Sequence, residues 1–88
     1  MTIDTKIIRK LLKESEPAII KLELLPELWF KEDEKETEYW IFFYAFCYRF
    51  SDDMISQRLG YYTRKHVYNR TLKIIKNNYT VISRFLQI

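Results

Sequence analysis

Apolar residues recur every three or four positions over 3–13, where Ile3, Ile7, Ile8, Leu11 and Leu12 share a stripe and Lys6, Arg9, Lys10 and Lys13 lie off it. That spacing predicts an amphipathic helix, with Asp4 near its positive end. Ser15, Glu16 and Pro17 interrupt the pattern, since Pro17 is tolerated only where no helical N–H bond is needed. The apolar positions of 19–25 fit both the helical and the strand period, with helix the preferred reading. Residues 26–30, which include Trp29 and Phe30, read as a turn carrying aromatic anchors. The run KEDEKETE at 31–38 is either a solvated linker or the acidic lead-in to the next helix, where carboxylates face the positive end of the helix dipole.

The twelve positions 39–50 hold eight aromatics, so a helix here carries apolar bulk on every side and must be buried on most of them. Ser51 then offers an N-cap, Asp52 and Asp53 fall in a first turn, and Ile55 and Leu59 lie four apart on one face. Gly60, the only glycine, ends that short helix by supplying a left-handed conformation. Tyr61 and Tyr62 fill the turn, and Thr63 can cap a longer helix from Arg64. In that helix Val67, Thr71 and Ile74, with Tyr68, Leu72 and Ile75, form an inward stripe. At the end of the chain Val81, Ile82, Phe85 and Leu86 make a helical stripe, preferred over the strand that the β-branched content also permits, and it suits either the core or a two-fold interface, so a homodimer is a candidate state.

Composition narrows the class. Hydrophobic residues make up 48% of 88 and there is one Gly, which excludes disordered and hairpin-rich all-β chains. The expected fold is all-α: a small helical domain, compact overall, with an N-terminal helical segment at 1–30 and a helix-turn-helix unit with a C-terminal helix at 31–88. The longest apolar run, 39–50, is well short of the roughly 20 residues that span a bilayer, so no membrane partner is expected. Cys47 has no disulfide partner and reads as a buried packing thiol, and the opening Met1-Thr2-Ile3-Asp4 lacks a signal-peptide pattern. A cytoplasmic location is expected.

Charge divides unevenly along the chain. Residues 1–44 carry 7 Lys/Arg against 10 Asp/Glu, and residues 45–88 carry 8 against 2. From Arg58 onward every charged side chain is basic, which marks a candidate phosphate-facing surface or else an ordinary solvated face.

The local pattern favours the phosphate-facing reading. On the helix from Arg64, His66, Asn69, Arg70, Lys73 and Asn77 recur on the polar side at i, i+3, i+4, i+7 and i+11. These are residue types that read base edges in a major groove: Arg for guanine, Asn for adenine, Lys and His for bases or phosphates. The expected base readers are His66, Asn69, Arg70 and Lys73. The expected phosphate contacts are Arg58, Tyr62, Thr63, Arg64, Lys65 and Lys76, those at the helix N-terminus being well placed to clamp the backbone.

The stretch Ile55-Ser56-Gln57-Arg58-Leu59-Gly60-Tyr61, followed by Arg64-Lys65-His66-Val67-Tyr68-Asn69-Arg70, resembles region four of the sigma factors. It is closer still to the small sigma-like phage transcription regulators of the ArpU and RinA kind. The resemblance implies a trihelical DNA-binding unit whose last helix enters the major groove, with the aromatic helix before Ser51 as its support. Two departures are visible: the turn between Leu59 and Val67 is one residue longer than usual, and Ser56 stands where alanine is common.

Catalytic and metal chemistry find no pattern here. His66 is the only histidine and has no Cys or carboxylate at ligand spacing, and one glycine cannot build a phosphate-binding loop. No enzymatic activity and no cofactor are expected. The leading expectation is a sequence-specific transcription regulator bound to double-stranded DNA. The alternative is a helix-turn-helix kept as a protein-interaction module that binds RNA polymerase or another regulator through the acidic half and the aromatic surface.

Overall fold

Side-chain capping sets the starts of three helices in the computed structural model, which describes residues 3–60 and 62–88. Among these residues six α-helices run in order: α1 (Thr5–Glu14), α2 (Pro17–Ile19), α3 (Lys35–Phe42), α4 (Asp52–Leu59), α5 (Arg64–Asn77) and α6 (Tyr79–Leu86). No strand occurs among the described residues. Asp4 is the N-cap of α1 and accepts from the Lys6 N–H at 2.7 Å, so this helix starts two residues later than the apolar stripe alone implies. Pro17 sits at the first position of α2, where its missing N–H costs nothing.

Two segments depart from α geometry. Ile20–Leu24 continues α2 as a π-helical turn, and Phe43–Cys47 continues α3 in the same way before the chain turns at Arg49. Arg49 adopts φ 57, and the Phe50 N–H returns to the Tyr44 carbonyl at 2.9 Å. The aromatic helix therefore ends at Cys47 rather than continuing to Phe50. Short 3-10 turns at Leu25–Glu27 and Glu32–Glu34 flank an extended stretch in which Phe30 is buried and Trp29 is 55% exposed.

The core draws on every part of the chain. Ile8 and Leu12 of α1, Ile20 and Leu24 after α2, and Phe42 and Phe46 of the aromatic segment meet Ile55, Val67, Ile74 and Ile82 from the last three α-helices. The first thirty residues thus complete the core. The radius of gyration, 12.1 Å, is that of a tightly packed chain of this length, about 12 Å.

Polar ties lock the layers. Arg9 of α1 makes a bidentate pair with Asp52 at 2.7 and 2.9 Å, donates to the Thr71 hydroxyl at 2.9 Å, and lies 4.7 Å from the Tyr68 ring centre. Asn78, buried between α5 and α6, accepts from the Trp29 N–H at 2.7 Å and donates to the Trp29 and Ile74 carbonyls at 2.8 and 2.9 Å. The Lys13 ammonium donates to the Ala45 and Phe50 carbonyls at 2.6 and 3.1 Å, satisfying backbone acceptors where the π-helical turn ends. Cys47 is half-buried rather than enclosed; burial pushes its thiol pKa up, and the nearby Lys21 charge partly opposes this.

Candidate nucleic-acid interface

The unit from α4 to α5 is fixed by three local devices. Ser51 caps α4 through the Met54 N–H at 3.2 Å, Gly60 takes φ 73 at the C-cap, and Thr63 caps α5 through the His66 N–H at 3.2 Å. These match the sequence expectation at all three positions. Tyr61, expected in the turn, lies outside the described residues. In α5, Val67, Thr71, Ile74 and Ile75 are buried, while Tyr68 and Leu72 are half-buried along the same inward stripe.

The opposite face of α5 gathers the four expected base readers around one shallow surface depression lined by His66, Asn69, Arg70 and Lys73. His66, Asn69 and Lys73 are exposed. The Tyr62 and His66 rings stack at 4.3 Å between centres and 16° between planes, fixing the turn against the first turn of the helix. Arg64 and Lys65 are exposed in that first turn and form no ion pair among the described residues. Their ammonium and guanidinium groups are therefore open to an anion. Lys76 lies in the last turn, on the row that Lys65 and Asn69 begin at i, i+4 and i+11 and roughly 16 Å further along the axis.

Arg70 is placed differently. Its side chain is only 14% exposed, it pairs with Glu34, and it reaches the Glu38 carboxylate at 3.2 Å. Glu38 is 1% exposed, and its other oxygen accepts from the Lys31 N–H at 3.0 Å. The guanidinium therefore fastens the α5 face to the start of α3 instead of projecting from the surface. Arg58 also stands apart: its guanidinium lies 5.7 and 5.2 Å from the Tyr44 and Phe50 ring centres, on the aromatic side of α3.

Glu34 and Glu38 are the residues that sequence reasoning missed. One signal for Glu38 was present, because it precedes Ile41, Phe42 and Ala45 by three, four and seven positions and so falls on the buried stripe of its own helix. A carboxylate there needs a cation, and Arg70 supplies it.

Among the described residues no three His, Cys, Asp or Glu side chains converge as metal ligands, and no helix is long and apolar enough to cross a membrane. Compared with known protein families, curated proteins and solved structures, the chain matches none.

Proposed function

We propose that α3, α4 and α5 form a trihelical helix-turn-helix and that the chain is a sequence-specific transcription regulator placing α5 in the major groove of double-stranded DNA. The observation that carries this reading is the exposed face of α5, where His66, Asn69 and Lys73 sit together on a helix that carries no acid, with Arg64 and Lys65 at its N-terminal end forming no ion pair among the described residues. A face of amide, imidazole and ammonium groups flanked by free cations suits base edges between phosphates. In this reading His66, Asn69 and Lys73 meet bases, while Arg64, Lys65, Tyr62 and Thr63, with Lys76 at the far end, meet the backbone. Arg70 is a positioning residue that sets the angle of α5 against α3. The likeness of 55–70 to sigma region four and to small phage regulators supports the same assignment.

A second reading, a protein-interaction module contacting RNA polymerase or another regulator, draws on the exposed aromatics Trp40 and Tyr48, which are 38% and 56% exposed.

Fluorescence anisotropy of a random-sequence duplex across a salt series separates the two. Phosphate contacts lower the logarithm of affinity by about 0.9 per contact for each unit of log salt, so four or more contacts are expected as a steep slope. Absent or salt-insensitive binding would overturn the DNA reading.

A further inference from the structure

Two surface depressions, sharing Glu23 and Phe85, join into one groove between α6 and the segment that runs from Pro17 to Glu27. Its floor is apolar: Leu24 is buried, Val81, Phe85 and Leu86 are half-buried, and Ile19 is 44% exposed. Leu22, three positions beyond Ile19, is 75% exposed, the most open large apolar side chain among the described residues. Glu16, Glu23 and Glu27 stand along one wall over a length of roughly 16 Å, or about three helical turns.

These three acids, like Glu14, Glu32 and Glu36, have no partner among the described residues, but they alone line the groove. Asp52 is spent on Arg9, Glu34 and Glu38 on Arg70, and Asp4 on capping α1. Among the described residues Glu16, Glu23 and Glu27 make no side-chain hydrogen bond or ion pair, and Arg84 is the one cation lining the groove. An apolar floor beside a row of unpaired carboxylates is the complement of a helix that is apolar on one side and basic on its flanks.

We infer that this groove docks a basic amphipathic helix of a partner protein, its apolar stripe on Ile19, Val81 and Phe85 and its Lys or Arg side chains against Glu16, Glu23 and Glu27. Nucleic acid is disfavoured here because the same carboxylates repel phosphate. A second copy of the chain is a poor match, because its exposed basic face on α5 carries His66, Asn69 and Lys73 without an apolar stripe. The inference stands apart from the DNA reading, since no residue of α5 lines the groove.

The test is a titration of the 15N-labelled full chain with a synthetic helical peptide bearing leucine on one stripe and lysine elsewhere. Saturable amide shifts are expected at Ile19, Glu23, Val81 and Phe85. Joint substitution Glu23→Lys with Glu27→Lys, both at exposed positions, is expected to weaken the peptide at least about tenfold while leaving the thermal melt and duplex affinity undiminished. A peptide of scrambled order binding equally well, shifts confined to 31–38, or an unchanged affinity of the double variant would each overturn the inference. So would groove shifts that arise with protein concentration alone, which would make the occupant a second copy.

Discussion

Glu38 and Arg70 meet beneath the polar face of α5, a carboxylate of 1% exposure accepting from a guanidinium at 3.2 Å. Removing one member of such a pair leaves the other desolvated and uncompensated, and typically costs about 3–5 kcal/mol. Glu38→Ala is expected at the lower end, about 3 kcal/mol, because Glu34 still faces Arg70. Thermal denaturation followed by circular dichroism should show a fall of the order of 10 °C or more. By the same geometry Arg70→Ala should lower stability together with DNA affinity, whereas Lys73→Ala should lower DNA affinity alone. A stable Arg70→Ala protein would contradict the positioning role.

The roles proposed on α5 separate by sequence dependence. Asn69→Ala should cost about 1–3 kcal/mol on a selected operator and relax preference at one base position. Lys65→Ala should weaken operator and random duplex alike and make the salt slope shallower by about one contact. Equal losses from both variants on both duplexes, measured by anisotropy, would remove the distinction between reading and clamping.

Gly60 tests the turn. Its φ of 73 lies where side chains crowd their own backbone, yet among the described residues beyond its two chain neighbours a Cβ there would meet no atom within 4 Å. The cost of substitution is thus conformational rather than steric contact with neighbours. Gly60→Ala is expected to lose about 1–2 kcal/mol, Gly60→Asn less, and the β-branched Gly60→Val most. Urea unfolding midpoints should follow that order.

Lys13 makes stability depend on alkaline pH. Burial, reinforced by the Arg9 charge, lowers its pKa from 10.5 to about 8 despite the opposing Asp52. Between these values the unfolded chain holds the proton more tightly than the folded one, so stability rises with pH across the window from about 8 to about 10.5. Lys13→Met abolishes this linkage. The stability of the natural chain relative to the variant should therefore grow from pH 8 to pH 10 in denaturant titrations, and a constant difference would show that Lys13 is not desolvated.

What was legible in the sequence is what depends on near neighbours. Ser51, Gly60 and Thr63 announce the ends of α4 and α5 because capping is settled within a few residues, and the inward stripe of α5 follows from its period. The fate of Arg70 was hidden because it depends on a carboxylate 32 residues away. The aromatic segment concealed its own geometry for a different reason: bulky residues on all sides give no phase, so neither the π-helical turn nor the outward positions of Trp40 and Tyr48 could be read. Nor does Arg49 signal its positive φ, since glycine and asparagine, the usual occupants, are absent there. The candidate face of α5 was therefore visible as a set of residues, while the division between projecting and tethered members required the fold.

The π-helical turn at Phe43–Cys47 behaves as an insertion held inside a helix. Its closing bond runs from the Tyr48 N–H to the Phe43 carbonyl at 3.1 Å, enclosing one residue more than an α turn. Deleting any one residue between them would let the turn relax to α geometry with little rotation of the following chain, because the extra residue is already held within a single turn. Ser51 and α4 would keep their place against Arg9, and α5 its place against Glu38. This turn is therefore the point at which a single-codon deletion would be absorbed silently, whereas the same deletion within the regular turns of α3 would rotate everything downstream by about 100°.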